Sequence, residues 1–293
     1  MQKFILHTLK YILFILIVLN VASALSLWVH RKSAYYKPSY LVSQVEQDDF
    51  DYIILGSSTG LTTLNSIQID TITRLSGINL SMDDSSLSSH YLMLSHFLNL
   101  GKTTRKVVLS ISEGDLENEN PKLSGNDYRF LPWISKPYVR TYYASFSGKK
   151  AQGLAMSRYL PIWGISQYNS VLFFPSLQAI LQPQKRNRFD RYGNYVYPNS
   201  GGVNTISEKE THIQINNPFF NKLKALCDDH QIELILYQPP VANKNVLTIN
   251  TDLEWINHSK LLNDSKLFYD NAHVNAEGRF IASKELAKAF LKI

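Results

Sequence analysis

The sequence predicts an α/β domain with a mainly parallel sheet, a large insertion and an N-terminal transmembrane helix. From residue 51 onward, apolar runs of strand length alternate with segments of helical periodicity. Strands separated by helices imply right-handed crossovers, and so a sheet covered by helices on both faces. Ahead of them, residues 11–28 (YILFILIVLNVASALSLW) hold no charged side chain. As a helix that stretch is about long enough to cross a hydrocarbon core of roughly 30 Å.

The first 31 residues therefore read as a membrane anchor. Lys3 and Lys10 precede the apolar stretch, while Arg31, Lys32 and Lys37 lie beyond it. The charge bias that orients a first helix is nearly balanced and leaves the topology open. A cleaved signal peptide is the rival, because Ala22-Ser23-Ala24 has the small-residue spacing of a cleavage site. Apolar residues continuing through Leu25, Leu27, Trp28 and Val29 favour the uncleaved anchor. Either reading predicts export of the downstream domain. Residues 32–49 read as a polar stalk, and 50–293 as one large domain with an insertion.

Within that domain, residues 51–55 predict a buried strand, 64–75 a helix, 78–80 a short strand, 87–100 a helix and 106–111 a strand. After the insertion, at about 116–216, come a helix at 218–229, strands at 232–237 and 266–269, and a closing helix at 276–291. The insertion holds nearly half of the aromatic residues, among them Trp133, Tyr138, Tyr142, Tyr143, Trp163, Tyr168, Phe173 and Phe174. Most are expected to form a small core; presenting flat rings to a glycan or lipid is the alternative.

Two motifs carry chemistry. The first strand runs into Gly56-Ser57-Ser58-Thr59-Gly60, and Asp270-Asn271-Ala272-His273 comes directly after the last predicted strand. In parallel sheets, reactive groups collect at the carboxyl ends of strands. Serine is a poor nucleophile at its own pKa, so an imidazole must take its proton as the oxygen attacks an acyl carbon. His273 is the candidate base, and Asp270 would hold the ring in the right tautomer. Ser58 is the candidate nucleophile, with Ser57 second. Alone, each motif has a bland meaning: the glycine turn can bind phosphate or simply turn, and Asp-x-x-His can be a helix cap with a surface histidine. Gly56-x-Ser58-x-Gly60 also fits the elbow of α/β-hydrolases, which place several strands before it. A dinucleotide fingerprint would need a different glycine spacing.

The strand ending in Gly56-Ser57-Ser58, the turn Asn79-Leu80-Ser81-Met82-Asp83-Asp84 and the terminal Asp270-x-x-His273 together resemble the first, second and fifth blocks of the SGNH (GDSL-type) hydrolase superfamily. The resemblance is greatest to its membrane-anchored envelope branch, which includes proteins of D-alanyl transfer to teichoic acid and of alginate O-acetylation. It implies a flavodoxin-like three-layer sandwich, with Ser58 as nucleophile and Asp270 and His273 completing the triad. It also implies an acyltransferase or esterase acting on O-acyl groups of an envelope polysaccharide, with the domain on the extracytoplasmic side. A multipass membrane acyltransferase is the implied partner. Oxyanion donors would come from the Ser58 N–H and the second and third blocks. There Asp84 stands where the family has glycine and Gly114 where it has asparagine, with Asn79, Ser81 or a residue of the insertion as substitutes. The same departures allow a non-catalytic glycan-binding or assembly protein, and a free-standing esterase is a third reading.

Other features exclude classes of function. The single cysteine, Cys227, rules out an internal disulfide and a cysteine-rich metal site, and reads as a buried thiol. A net charge of +6 gives little support to nucleic-acid binding. Lys185, Arg186, Arg188 and Arg191 read as a solvated loop, with lipid headgroups or an acidic polymer as the alternative. His90 and His96, six apart, do not share a helix face, and His212, His230 and His258 stand alone. Asp83 and Asp84 read as a solvated turn. No metal and no cofactor are expected.

Overall fold

The computed structural model describes residues 1–199, 201–203, 209–242 and 245–292. Positions 200 and 204–208 of the predicted insertion lie outside them, as does the last residue of the predicted domain. The chain divides into two units: Met1–Val45 with Asp127–Asn187, and Glu46–Asn126 with Arg188–Ile293. In chain order the elements are α1 (Gln2–Lys32), α2 (Lys37–Ser43), β1 (Asp49–Leu55), α3 (Ser58–Thr63), α4 (Ser66–Thr73), β2 (Gly77–Asn79), α5 (Leu87–Asn99), β3 (Thr103–Ser110), α6 (Glu113–Leu116), α7 (Pro137–Ala144), α8 (Lys149–Met156), α9 (Pro161–Leu181), β4 (Glu210–Ile213), α10 (Pro218–Asp229), β5 (Glu233–Gln238), β6 (Asn245–Ile249), β7 (Trp255–Asn257) and α11 (Ala276–Phe290).

The second unit is built on a five-stranded sheet in the order β2-β1-β3-β5-β7, with every neighbouring pair parallel. Tyr52, Ile54, Val108, Ile235 and Tyr237 point to one face and pack with Ile69, Leu286 and Phe290 of α4 and α11. The alternating residues Ile53, Leu55, Val107, Leu109 and Leu236 are also fully buried. By the two-residue period of a strand they face the other side, where α5 and α10 pack together through Tyr91 and Phe219. A right-handed connection gives this placement: β1 to β2 runs toward one edge, β2 to β3 and β3 to β5 toward the other, so their helices fall on opposite faces. β4 and β6 form a separate parallel pair that the sequence pattern does not predict.

Two expectations for this unit need correction. The helix predicted over 64–75 is the shorter α4, Ser66–Thr73, and the unpredicted α3 precedes it across an extended break at Leu64 (φ −110°, ψ 134°). The break is held from outside: the Asn79 amide donates to the Gly60 and Leu64 carbonyls, while Asn65 N–H and Ser66 N–H donate to Ser283 and Asn194. The strand predicted over 266–269 is a 3-10 turn (Ser265–Leu267) capped by Asp264, succeeded by a single antiparallel bridge between Phe268 and Val274. The sheet's last strand is instead β7, three residues long and too short to signal itself in the sequence.

The first unit is helical. α1 is long and apolar enough to cross a membrane, and at 1.5 Å per residue its 31 residues extend about 46 Å. The predicted polar stalk contains α2, because Tyr36, Tyr40 and Leu41 are apolar enough to be buried. Of the aromatic residues, Trp133, Phe130, Tyr142 and Tyr143 form a small core, with both tyrosine hydroxyls donating to Asp127. Trp163 and Phe174 are exposed.

Candidate active site

β1 delivers the serine. Its last residue, Leu55, is followed by Gly56 and Ser57, and Ser58 opens α3. The flanking glycines serve close approach, and neither has a positive φ. A Cβ on Gly56 would lie 2.8 Å from the Ser110 Cβ; one on Gly60 would lie 2.8 Å from Ser81 Oγ and 2.9 Å from Ser110 Cβ. The first turn of α3 thus rests directly on the end of β3. Ser58 N–H sits at the first helical position, where no intrahelical acceptor exists.

Asp270 and His273 come from one short loop between Phe268 and α11. The Asp270 carboxylate accepts the backbone N–H groups of Ala272 (2.8 Å) and His273 (2.9 Å), which folds the loop back on itself. Tyr269 N–H donates to the His273 carbonyl at 2.8 Å and closes it. Behind it, the Asn275 side chain caps α11 by accepting from Glu277 and Gly278 N–H and ties down the Lys266 carbonyl. Three residues of spacing therefore suffice to orient both side chains.

The loop brings the His273 ring between the other two groups. Nδ1 lies 2.9 and 3.0 Å from the Asp270 carboxylate oxygens, and Nε2 lies 2.9 Å from Ser58 Oγ. A carboxylate only accepts, so Nδ1 carries the proton and Nε2 presents its lone pair to the serine hydroxyl. Partial burial works against the Asp270 charge. The His273 ring and the two backbone N–H groups outweigh it and hold the carboxyl below its ordinary range. Ser57, the second candidate, instead pairs with the Thr59 hydroxyl at 3.2 Å.

The oxyanion candidates separate. The Asn79 side chain is fully buried and gives both amide hydrogens to carbonyls of the α3–α4 break, so it has none left for a developing charge. Asp84 is exposed and takes a left-handed backbone (φ 47°), the conformation that makes glycine the usual residue at such a turn. Gly114, at the start of α6, lines a cavity of about 250 Å³ together with Ser57, Thr59, Gln238 and Ala272. Of these candidates Gly114 lines this space, and Ser58 lies in the chain between two of its lining residues, Ser57 and Thr59.

Two neighbours carry no mark in the sequence motifs. Tyr197 stacks on Tyr269 (4.2 Å, 6°) and lies 5.3 Å from the His273 ring centroid. Gln238, at the end of β5, donates to the Pro239 carbonyl, and its Oε1 is buried without a partner. Tyr197 lies in the aromatic-rich insertion, where no periodicity marks one tyrosine from another. Gln238 had a usable signal, a polar residue closing an apolar strand.

The remaining groups are structural. His90 and His258 are held neutral by burial, with pKa values lowered to about 3 and about 4. Cys227 is buried, and its thiol is pushed up to about 12. Among the described residues, no three His, Cys, Asp or Glu side chains gather as metal ligands. No protein-family model matches the chain, and no curated protein matches it.

Proposed function

We propose that this chain is a membrane-anchored SGNH-like acyltransferase or esterase, which moves or removes O-acyl groups of a cell-envelope polysaccharide through an acyl-Ser58 intermediate. The observation that carries the reading is the continuous hydrogen-bonded chain from Ser58 Oγ through the His273 ring to the Asp270 carboxylate. The strand order β2-β1-β3-β5-β7 supports it, being the flavodoxin-like order, with Ser58 at the carboxyl end of β1 beside the point where the order reverses.

In this mechanism His273 Nε2 takes the Ser58 proton as Oγ attacks the acyl carbon, and Asp270 stabilises the imidazolium that results. The Ser58 N–H and the backbone at Gly114 face the developing oxyanion. His273 returns the proton to the leaving oxygen, and an acceptor hydroxyl or water then repeats the sequence in reverse. α1 holds the domain at the extracytoplasmic face of the membrane, where a multipass acyltransferase would supply the acyl group. That partner, and transfer in preference to hydrolysis, rest on the resemblance alone.

A second reading, a non-catalytic envelope protein that binds glycan or assists assembly, draws on the oxyanion side. Asn79 is committed elsewhere, and Gly114 has no side-chain donor. A fluorophosphonate probe and an aryl acetate separate the two. The catalytic reading expects labelling and turnover that Ser58→Ala abolishes; turnover undiminished in Ser58→Ala rejects it, and no reaction with glycan affinity retained favours the binding protein.

A further inference from the structure

The first unit carries a feature that the proposed chemistry does not use. Residues 1–45 and 127–187 contain 13 lysines and arginines against one acid, Asp127, whereas the rest of the chain carries 17 against 23. The net charge of +6 thus conceals a strongly basic unit and an acidic one.

Its longest helix after α1 is α9, 21 residues with no charged side chain. α9 runs parallel to the C-terminal third of α1. Ile162 N–H donates to Asn20 Oδ1, Ser26 Oγ donates to Asn169 Oδ1 at 2.6 Å, and His30 Nδ1 lies 3.1 Å from Ser176 Oγ. Polar groups of the two helices thus pair along this seam. The outward side of α9 carries no charge and is mostly apolar: beside the exposed Gln167, Ser170 and Gln178, the side chains of Trp163, Val171, Phe174 and Leu181 are exposed at 53, 42, 70 and 75%. These positions recur at helical spacing and so share one side of the helix. α1 is exposed from its start through Leu19, and its burial begins where α9 joins it. A bilayer that holds α1 must then also meet the outer side of α9.

We propose that α9 is a membrane-interface helix, which together with α1 forms one continuous apolar surface seating the first unit on an anionic lipid bilayer. α9 itself does not cross. Gln167, Asn169 and Gln178 interrupt its apolar sequence, and α1 is the one described helix long and apolar enough to span. Exposed aromatic side chains such as Trp163 favour the headgroup level of a membrane. Arg158 just before it, and Lys185 and Arg186 just beyond it, flank the uncharged stretch where lipid phosphates would lie. Continuity with α1 and this charge identify the occupant as lipid, in preference to a second copy of so basic a unit.

The test uses the full-length chain in vesicles, with a fluorophore on one introduced cysteine at a time: Leu13→Cys on α1, Phe174→Cys on α9 and Lys260→Cys on the exposed surface of the second unit. The buried Cys227 thiol stays unlabelled. Lipids carrying a quencher on their acyl chains should quench the probes at 13 and 174, and aqueous iodide should quench only the probe at 260. Quenching of 174 by iodide overturns the proposal, as does protection of 174 from both quenchers, the sign of a protein partner. Failure at 13 as well would instead reject the anchor that the proposed function assumes. Replacing Arg158, Lys185 and Arg186 with glutamine should cut the gain in lipid quenching at 174 on adding phosphatidylglycerol by about twofold or more. An unchanged gain removes the anionic part of the claim.

Discussion

The meeting of Ser58, His273 and Asp270 was legible because the proposed chemistry restricts residue type, chain order and spacing together. Three residues between acid and base allow one loop to present both, and the Asp270 carboxylate holds that loop through the N–H groups of Ala272 and His273. Asp270 thus has two tasks, shaping the loop and fixing the tautomer. Asp270→Asn is expected to lower kcat by up to about 10⁴-fold while leaving fluorophosphonate labelling slow but detectable; ester kinetics measure the first and a labelling time course the second. The oxyanion candidates were less legible, since a backbone donor is available from any residue type and only its position matters. Asn79 shows the limit: its amide has the right chemistry, but carbonyls of its own fold consume it.

At the scale of elements, boundaries set by buried apolar runs were readable, as with α5, α10 and α11. Those set by long-range hydrogen bonds were not. The α3–α4 break depends on Asn194 and Ser283, more than a hundred residues away in sequence. The false strand over 266–269 has a similar cause: its apolar residues pack around the loop that carries His273, and only Phe268 pairs, with Val274. Gly60 tests how tightly α3 rests on β3. Gly60→Ala places a methyl group against Ser81 and Ser110 and should cost about 1–3 kcal/mol by urea denaturation. It should also slow Ser58 labelling, because the first turn of α3 has to move. Unchanged stability would show that the contact is slack.

Across the whole molecule, a titration within the second unit gives a stability prediction with a definite sign. Burial raises the Asp115 carboxyl to about 6, opposed by the Leu87 N–H. Its folded pKa lies above the ordinary value, so the fold favours the protonated form. That contribution is complete below about pH 4 and is lost as pH rises through about 6. Asp115→Asn should therefore match the parent in Tm near pH 4 and exceed it by pH 7, as thermal melts across that window will show. A difference that does not change with pH would contradict the shift. The grouping of 127–187 with the N-terminal helices was not legible, because the two segments lie about a hundred residues apart in sequence. Contacts of that kind leave no local pattern. The charge imbalance was countable from the start, but only the division shows which residues to count together.

The proposed chemistry stands or falls on whether Ser58 carries the acyl group. Brief exposure of the full-length chain to an aryl acetate, an acid quench and peptide mass analysis tests this directly. An acetyl group on the Ser58 hydroxyl is the expected product in the parent chain, released by hydroxylamine as an ester would be and absent from Ser58→Ala. Ester turnover with the acetyl group on another side chain, or turnover undiminished in Ser58→Ala, would refute the assignment.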